Sequence, residues 1–254
     1  MTFMDLLSNG FANQYIINNG RVMDDTGVFL TTLAVALCLI FGYLLGSINF
    51  AIILSKRFGN DDVRNHGSKN AGTTNMLRTY GKKAALMTFI GDFLKAIITC
   101  FIGRLCFGVE GAYIAGLFCV IGHIFPVFFK FKGGKGVATT AGVMLACDGP
   151  TFLIILVLYV GVFLLSNFVS AASIMSALMY PFILYSLNSM LPEGMRATGI
   201  CILAALAMGV IVVAKHAGNL KRILEGTEPK TYLSKKKKEQ AQNKKSLHSE
   251  DDNQ

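Results

Sequence analysis

Apolar stretches dominate this chain, and polar clusters interrupt them at intervals. Residues 28–55, 111–129 and 197–214 contain no Asp, Glu, Lys or Arg, and 84–103 carries only Asp92 and Lys95. Residues 149–192 run for 44 positions without a charge, too long for one crossing; the polar patch of Ser166, Asn167 and Ser170 divides them in two. A helix needs about 20 apolar residues to cross about 30 Å of hydrocarbon. These segments predict six membrane-spanning helices. A seventh candidate, 136–147, has only 12 residues.

Basic residues decide whether the seventh segment crosses, because cytoplasmic loops collect Lys and Arg. With seven crossings and the N-terminus outside, twenty of the 24 Lys and Arg fall on the cytoplasmic side. Arg21, Arg104 and Arg196 lie outside, and Lys95 lies within a span. With six crossings the Lys-rich tail would be outside, against the rule. The expected architecture is an all-α integral membrane protein of seven transmembrane helices, N-terminus outside and C-terminus cytoplasmic. The short helix at about 136–147 starts or stops inside the membrane depth. Residues 1–27 read as a polar extracytoplasmic extension rather than a cleaved signal peptide. Residues 28–230 form the seven-helix domain. Residues 231–254 read as a Lys-rich, disordered cytoplasmic tail, whose lysines at 235–238 suit topology or lipid headgroups.

Composition narrows the class further. The chain has 254 residues, 53% hydrophobic and 15% charged, against roughly 25% charged in a soluble domain. Mean hydropathy is +0.51, yet the formal net charge is +9. Apolar and basic together indicate a membrane protein with basic loops, not a nucleic-acid binder. The six cysteines form no C-x-x-C pair and read as small hydrophobes. No metal-ligating cluster, H-x-x-x-x-D string, H-E-x-x-H or G-x-S-x-G elbow occurs, so neither a metal nor a cofactor is expected.

Three polar, glycine-rich segments fall on the expected cytoplasmic side. The first begins Gly46-Ser47-Ile48-Asn49, continues through Asp61, Asp62 and Arg64, and then runs from Asn65 to Arg78. Its glycines permit close backbone approach to a ligand. Arg64 and Arg78 offer planar forks for phosphate or carboxylate. A solvated loop with topogenic arginines is the plainer reading. The second segment, from Gly122-His123 to Lys132-Gly133-Gly134-Lys135-Gly136, places a helix N-terminus and a lysine together as an anion cradle. It is not a Walker A loop, and a short basic turn is its plain alternative. His123 on its own reads as an interhelical hydrogen-bond partner. In the third, His216 and Asn219 lie i, i+3 on one helical face, where a His could be a base or an oxyanion donor; an interfacial stub is the plain alternative. Asp92 and Lys95 are also i, i+3 and predict a paired charge within the bundle.

In this order, the segments resemble those of the bacterial acyl-phosphate:glycerol-3-phosphate acyltransferases, from residue 29 to residue 230. The resemblance rests on the Gly46-Ser47-Ile48 start, the block from Gly67, Ser68 and Asn70 to Arg78, the run from Gly122-His123 to Thr139, and the His216/Asn219/Glu228 pattern. It implies a seven-helix enzyme of the bacterial cell membrane with its active site facing the cytoplasm. Such an enzyme moves a fatty acyl group from acyl phosphate to the 1-hydroxyl of glycerol 3-phosphate. The products are lysophosphatidic acid and phosphate, at the committed acylation of phospholipid synthesis. By resemblance, Ser47, Arg64, His216 and Asn219 are catalytic. Ser68, Asn70, Asn75, Arg78, Gly133, Gly134, Lys135, Gly136 and Ser170 bind substrate, and Glu228 is structural. The family usually has Pro at Asn49, Gly at Lys69 and Arg at Lys215. Those departures bear on affinity or substrate range more than on reaction type. Acyl phosphate is already activated, so orientation and oxyanion stabilisation suffice for direct attack without an acyl-enzyme. The base is His216 or the substrate's own phosphate. Partners are the two substrates, membrane lipid and the enzyme that forms the acyl phosphate. The competing readings are a membrane transporter of an organic phosphate and a non-catalytic lipid-binding scaffold.

Overall fold

The computed structural model describes residues 3–20, 23–192 and 197–232. The expectations for Arg21, Arg196 and the tail from 235 lie outside the described residues. Among the described residues every regular element is helical: α1 (Phe3–Asn18), α2 (Asp25–Gly46), α3 (Phe50–Gly59), α4 (Thr73–Ile124), α5 (Val137–Cys147), α6 (Gly149–Ser166), α7 (Val169–Ser189), α8 (Gly199–Lys215) and α9 (Ala217–Leu224).

The long apolar run at 28–55 is two helices, not one. α2 ends at Gly46, and Asn49 opens α3 by accepting the Ile52 N–H at 3.1 Å. A side-chain N-cap satisfies one of the orphan donors of a new helix. The start of α2 lies earlier than expected. Asp24 caps it, accepting from Gly27 N at 2.7 Å and from the Tyr15 hydroxyl at 3.1 Å.

α4 spans 52 residues but breaks at Gly81 and again at Phe107–Gly108, where Gly108 has φ 64°. The second break folds the helix back on itself. A Cβ on Gly103 would stand 2.3 Å from the Gly111 carbonyl oxygen, and one on Gly116 would stand 3.1 Å from Cys100 Sγ. Asp92 meets His123 at 3.3 Å. These pairs converge on the break, so residues 82–106 and 109–124 are antiparallel legs of a hairpin. They correspond to the separate spans expected at 84–103 and 111–129. α2 runs parallel to the second leg, with Gly42 against Ala115 and Gly46 against Cys119. Small residues permit this backbone approach, which is how helices gain packing energy in lipid.

Residues 1–27 were expected as a polar extension, and they contribute a helix. α1 seats Gly10, at φ 73°, against the backbone of Cys106–Gly108, and Arg104 Nε donates to the Leu7 carbonyl at 3.1 Å. Gly10 tolerates that conformation because it has no Cβ.

Among the described residues, by length and composition, four helical segments can cross a membrane, or five if the bent pair α8–α9 counts as one. One of these, Thr73–Phe129, holds both legs of the hairpin. α5 has 11 residues, about 17 Å at 1.5 Å per residue, so it reaches only part of the bilayer depth. The divider at Ser166–Phe168 is a tight turn with Asn167 left-handed at φ 61°.

Candidate active site

The three polar segments converge on one cavity of about 490 Å³. Its polar end gathers Ser68, Asn70 and Asn75 with Arg78 from the start of α4, Lys135 and Gly136 before α5, and Ser170 from α7. His216, Asn219 and Glu228 complete it from the C-terminal side. The other end is apolar, with Phe89 and Phe93 of the first leg facing Phe152, Leu156 and Tyr159 of α6. The Phe93 and Phe152 rings lie 6.2 Å apart.

A hydrogen-bond chain built around Asn219 organises the polar end. Its carbonyl oxygen accepts from Lys135 Nζ, and its amide donates to Glu228 Oε1 at 2.6 Å. Glu228 also accepts from Ser170 Oγ at 2.8 Å and from Arg222 Nε at 2.8 Å. Burial would raise the Glu228 pKa, but hydrogen bonds from Asn219, Ser170 and Arg222 outweigh it and hold the carboxyl below its ordinary value. Gly226, at φ 69°, turns the chain so that Glu228 comes back over α9. Lys135 has its pKa pushed down to about 8, first by burial and then by Arg222, Arg78 and Lys215, with Glu228 opposing. His216 Nδ1 lies 2.8 Å from the Val212 carbonyl oxygen. A carbonyl only accepts, so Nδ1 carries the proton and Nε2 keeps a free lone pair.

The α5 N-terminus is the candidate anion site. Gly136, at φ 85°, precedes it without a side-chain cap. Gly136, Val137 and Ala138 all line the cavity, as do Lys135 and Arg78, and the charges of Arg222 and Lys215 reach Lys135 as well. Exposed amides and the helix dipole both favour an anion there.

Four expected site residues sit elsewhere. Ser47 is fully buried off the cavity; its hydroxyl donates to Tyr43 O at 2.8 Å and accepts from Val127 N at 3.4 Å. Arg64 is engaged by the Asp62 carboxylate, with Nη2 at 2.6 Å, and by the Phe129 and Lys132 carbonyls, both at 2.9 Å. It braces the first loop against the segment before α5. From the first polar segment, the Ser and Arg that do line the cavity are Ser68 and Arg78. Gly133 and Gly134 do not cradle an anion with their amides, which donate to the Ile124 and His123 carbonyls at 3.1 Å each. Asn75 lines the wall, but its side chain is committed: it accepts from Ser68 N and donates to the Val63 and His66 carbonyls.

Of the three departures, Asn49 is explained by its cap on α3. Lys215 places its ammonium 4.9 Å from the centre of the Phe125 ring, a cation–π contact. Lys69 adopts φ 58°, a left-handed conformation that costs a side-chain-bearing residue about 1–2 kcal/mol. Sequence reading missed Arg222, whose link to Glu228 depends on the Gly226 turn. It placed Asp92 in an ion pair with Lys95 and read His123 as an interhelical hydrogen-bond partner, without placing either on the cavity wall.

A helical membrane scaffold with a cavity that brings cationic and polar side chains next to an apolar arm has the makings of a membrane enzyme working between a polar and a lipid substrate. Comparison with known proteins makes this specific. The family model for glycerol-3-phosphate acyltransferase matches residues 36–226, and the chain belongs to that family. The glycerol-3-phosphate acyltransferase of Brucella anthropi is 41% identical over 208 residues, covering 82% of this chain and 98% of its own. That of Finegoldia magna is 40% identical, covering 74% of this chain and 91% of its own. The crystal structure of PlsY, an integral membrane glycerol 3-phosphate acyltransferase in its glycerol 3-phosphate form, superposes with a TM-score of 0.71 at 36% identity, covering 78% of this chain and 96% of that one. Its lysophosphatidic acid form gives 0.69, also at 36% identity, with 78% and 95% covered.

Proposed function

We propose that this membrane acyltransferase takes its acyl group from an acyl phosphate and delivers it to the 1-hydroxyl of glycerol 3-phosphate. The observation that carries the reading is the continuity of the cavity from the α5 N-terminus to the Phe93/Phe152 arm. One end suits a phosphate, the other a hydrocarbon chain. Lys135, Arg78 and the first amides of α5 hold phosphate, with Ser68 and Asn70 beside them. His216 Nε2 and the Asn219–Glu228 pair orient the reacting groups, and Ser170 keeps Glu228 in place. The glycerol oxygen attacks the acyl carbon directly. A C–O bond to glycerol forms, the C–O bond to phosphate breaks, and the hydroxyl proton passes to a phosphate oxygen. No acyl-enzyme forms, since acyl phosphate is already activated and orientation suffices for direct attack. The products are lysophosphatidic acid and inorganic phosphate.

The same reading takes α2, both legs of the hairpin, α5, α6, α7 and α8 as seven traverses of a bacterial cell membrane. The N-terminus is then outside and the cavity's polar end faces the cytoplasm, where the acyl-phosphate-forming enzyme can reach it. The parallel packing of α2 on the second leg supports this alternation, as do the basic loops.

The test supplies palmitoyl phosphate to purified full-length protein with and without glycerol 3-phosphate. Phosphate release is expected only with both, matched by equal lysophosphatidic acid. An acyl-serine trapped with palmitoyl phosphate alone overturns direct attack. Protein that binds glycerol 3-phosphate without turnover, but carries it into liposomes, supports the transporter instead.

The state of Lys135 sets a pH dependence. Its charged form binds phosphate, and its pKa in the free protein is about 8. Thus kcat/KM for glycerol 3-phosphate stays level near pH 7 and falls about tenfold per pH unit well above 8. Bound phosphate raises the lysine pKa, so kcat holds to higher pH. A kcat/KM profile flat to pH 9.5 excludes Lys135 as the phosphate ligand.

A further inference from the structure

Asp92, Lys95 and His123 lie inside the helical bundle and have no part in the roles above. Their exposures are 1%, 6% and 4%. Lys95 Nζ donates to the Gly46 carbonyl at 3.0 Å and the Ile48 carbonyl at 2.6 Å, and pairs with Asp92 Oδ1 at 2.8 Å. Gly46 ends α2, so the ammonium satisfies carbonyls that a helix end leaves without partners. Lys95 Nζ also stands 3.1 Å from His123 Nδ1. His123 Nδ1 lies 3.3 Å from Asp92 Oδ1 as well, so the ion pair holds the ring at that nitrogen. The ring orientation is fixed.

That ring bears on the loop before α5. The His123 carbonyl accepts Gly134 N at 3.1 Å. A Cβ on Gly134 would stand 2.2 Å from His123 Nε2 and 2.6 Å from the Ala71 carbonyl oxygen. Gly134 is thus held between the His123 ring and the first polar segment, one residue before Lys135. Asp92 and His123 also form part of the cavity wall.

We propose that Lys95, Asp92 and His123 are positioning residues for the phosphate site. The ion pair fixes the imidazole, the imidazole sets the seat of Gly134, and Gly134 sets where Lys135 and the α5 amides stand. The group acts on glycerol 3-phosphate affinity and leaves the hydrocarbon arm untouched. This rests on the reading of Lys135 and α5 as the phosphate site.

The test uses His123→Ala and Gly134→Ala in the full-length protein. The first removes the ring; the second pushes the loop off an intact cluster. Both are expected to raise KM for glycerol 3-phosphate about tenfold, with KM for palmitoyl phosphate changed less than about twofold. A purely structural role would reduce the amount of active protein, lowering kcat and moving neither KM. Calorimetric binding of glycerol 3-phosphate without an acyl donor reads the same affinity, so failure of the acyl-phosphate donor does not mask the result. Wild-type protein that binds no glycerol 3-phosphate instead overturns the phosphate-site reading. Should His123→Ala fail to fold, Gly134→Ala decides. Unchanged glycerol 3-phosphate KM and Kd in folded variants, or an equal rise in both KM values, overturns the proposal.

Discussion

Replacing Lys135 with methionine is expected to lower kcat/KM for glycerol 3-phosphate by about 10². Methionine keeps the apolar stem and removes only the ammonium. Lys135 is the cation in direct contact with Asn219 and lies beside the uncapped start of α5. A charged hydrogen bond there is worth about 1.5–3 kcal/mol, and the half-buried setting screens it less than bulk water would. Arg78 and the α5 amides remain, so affinity falls without vanishing, and KM rises more than kcat drops. Steady-state kinetics with both substrates varied measures the effect, and an unchanged unfolding midpoint in detergent shows that the fold is intact. A loss below about threefold would remove Lys135 from the site.

Asn219→Asp is expected to be worse than Asn219→Ala, by about tenfold or more in kcat/KM. Asn219 is a neutral spacer: its carbonyl faces the Lys135 ammonium and its amide faces Glu228. It links the two charges without neutralising Lys135. Aspartate would pair with Lys135 directly, stand against the Glu228 carboxylate and repel an incoming phosphate. Alanine only removes the bridge. Equal activities of the two variants would show that Asn219 does not keep Lys135 available.

The helices were largely legible. Uncharged runs marked α6, α7, α8 and the second leg of the hairpin, and a run broken only by Asp92 and Lys95 marked the first, because lipid demands apolar surface over a whole crossing. The shortness of α5 and the Asp92–Lys95 pair were legible as well. α1 was not, because its Asn-rich, weakly apolar sequence finds its place only against the bend at Phe107–Gly108. Within the site, residue types were legible but their direction was not. Two Ser and two Arg candidates stood in the first polar segment. Ser47 and Arg64 turned inward because Val127, Phe129 and Lys132, more than sixty residues away, supply their partners. The amides of Gly133 and Gly134 are taken by Ile124 and His123, and local pattern could not separate that from an open cradle. His216, Asn219 and Lys135 do line the cavity, together with residues of the first polar segment.

The tight bend between the two legs of α4 also bears on how the nascent chain reaches lipid. A single leg released alone would carry the Asp92–Lys95 pair into hydrocarbon, where an unpaired charge costs about 2.5–3.5 kcal/mol at the helix centre and where the pair would lack its His123 and carbonyl partners. Folded as a hairpin, the legs join that pair to His123 across a two-residue break. The pair, already neutral on its own leg, thereby gains the imidazole, and only the Gly46 and Ile48 carbonyls are still needed to complete the set. Because α2 is synthesised first, it is already in place when the hairpin arrives. Chain order and charge pairing thus favour insertion of these three segments as one package.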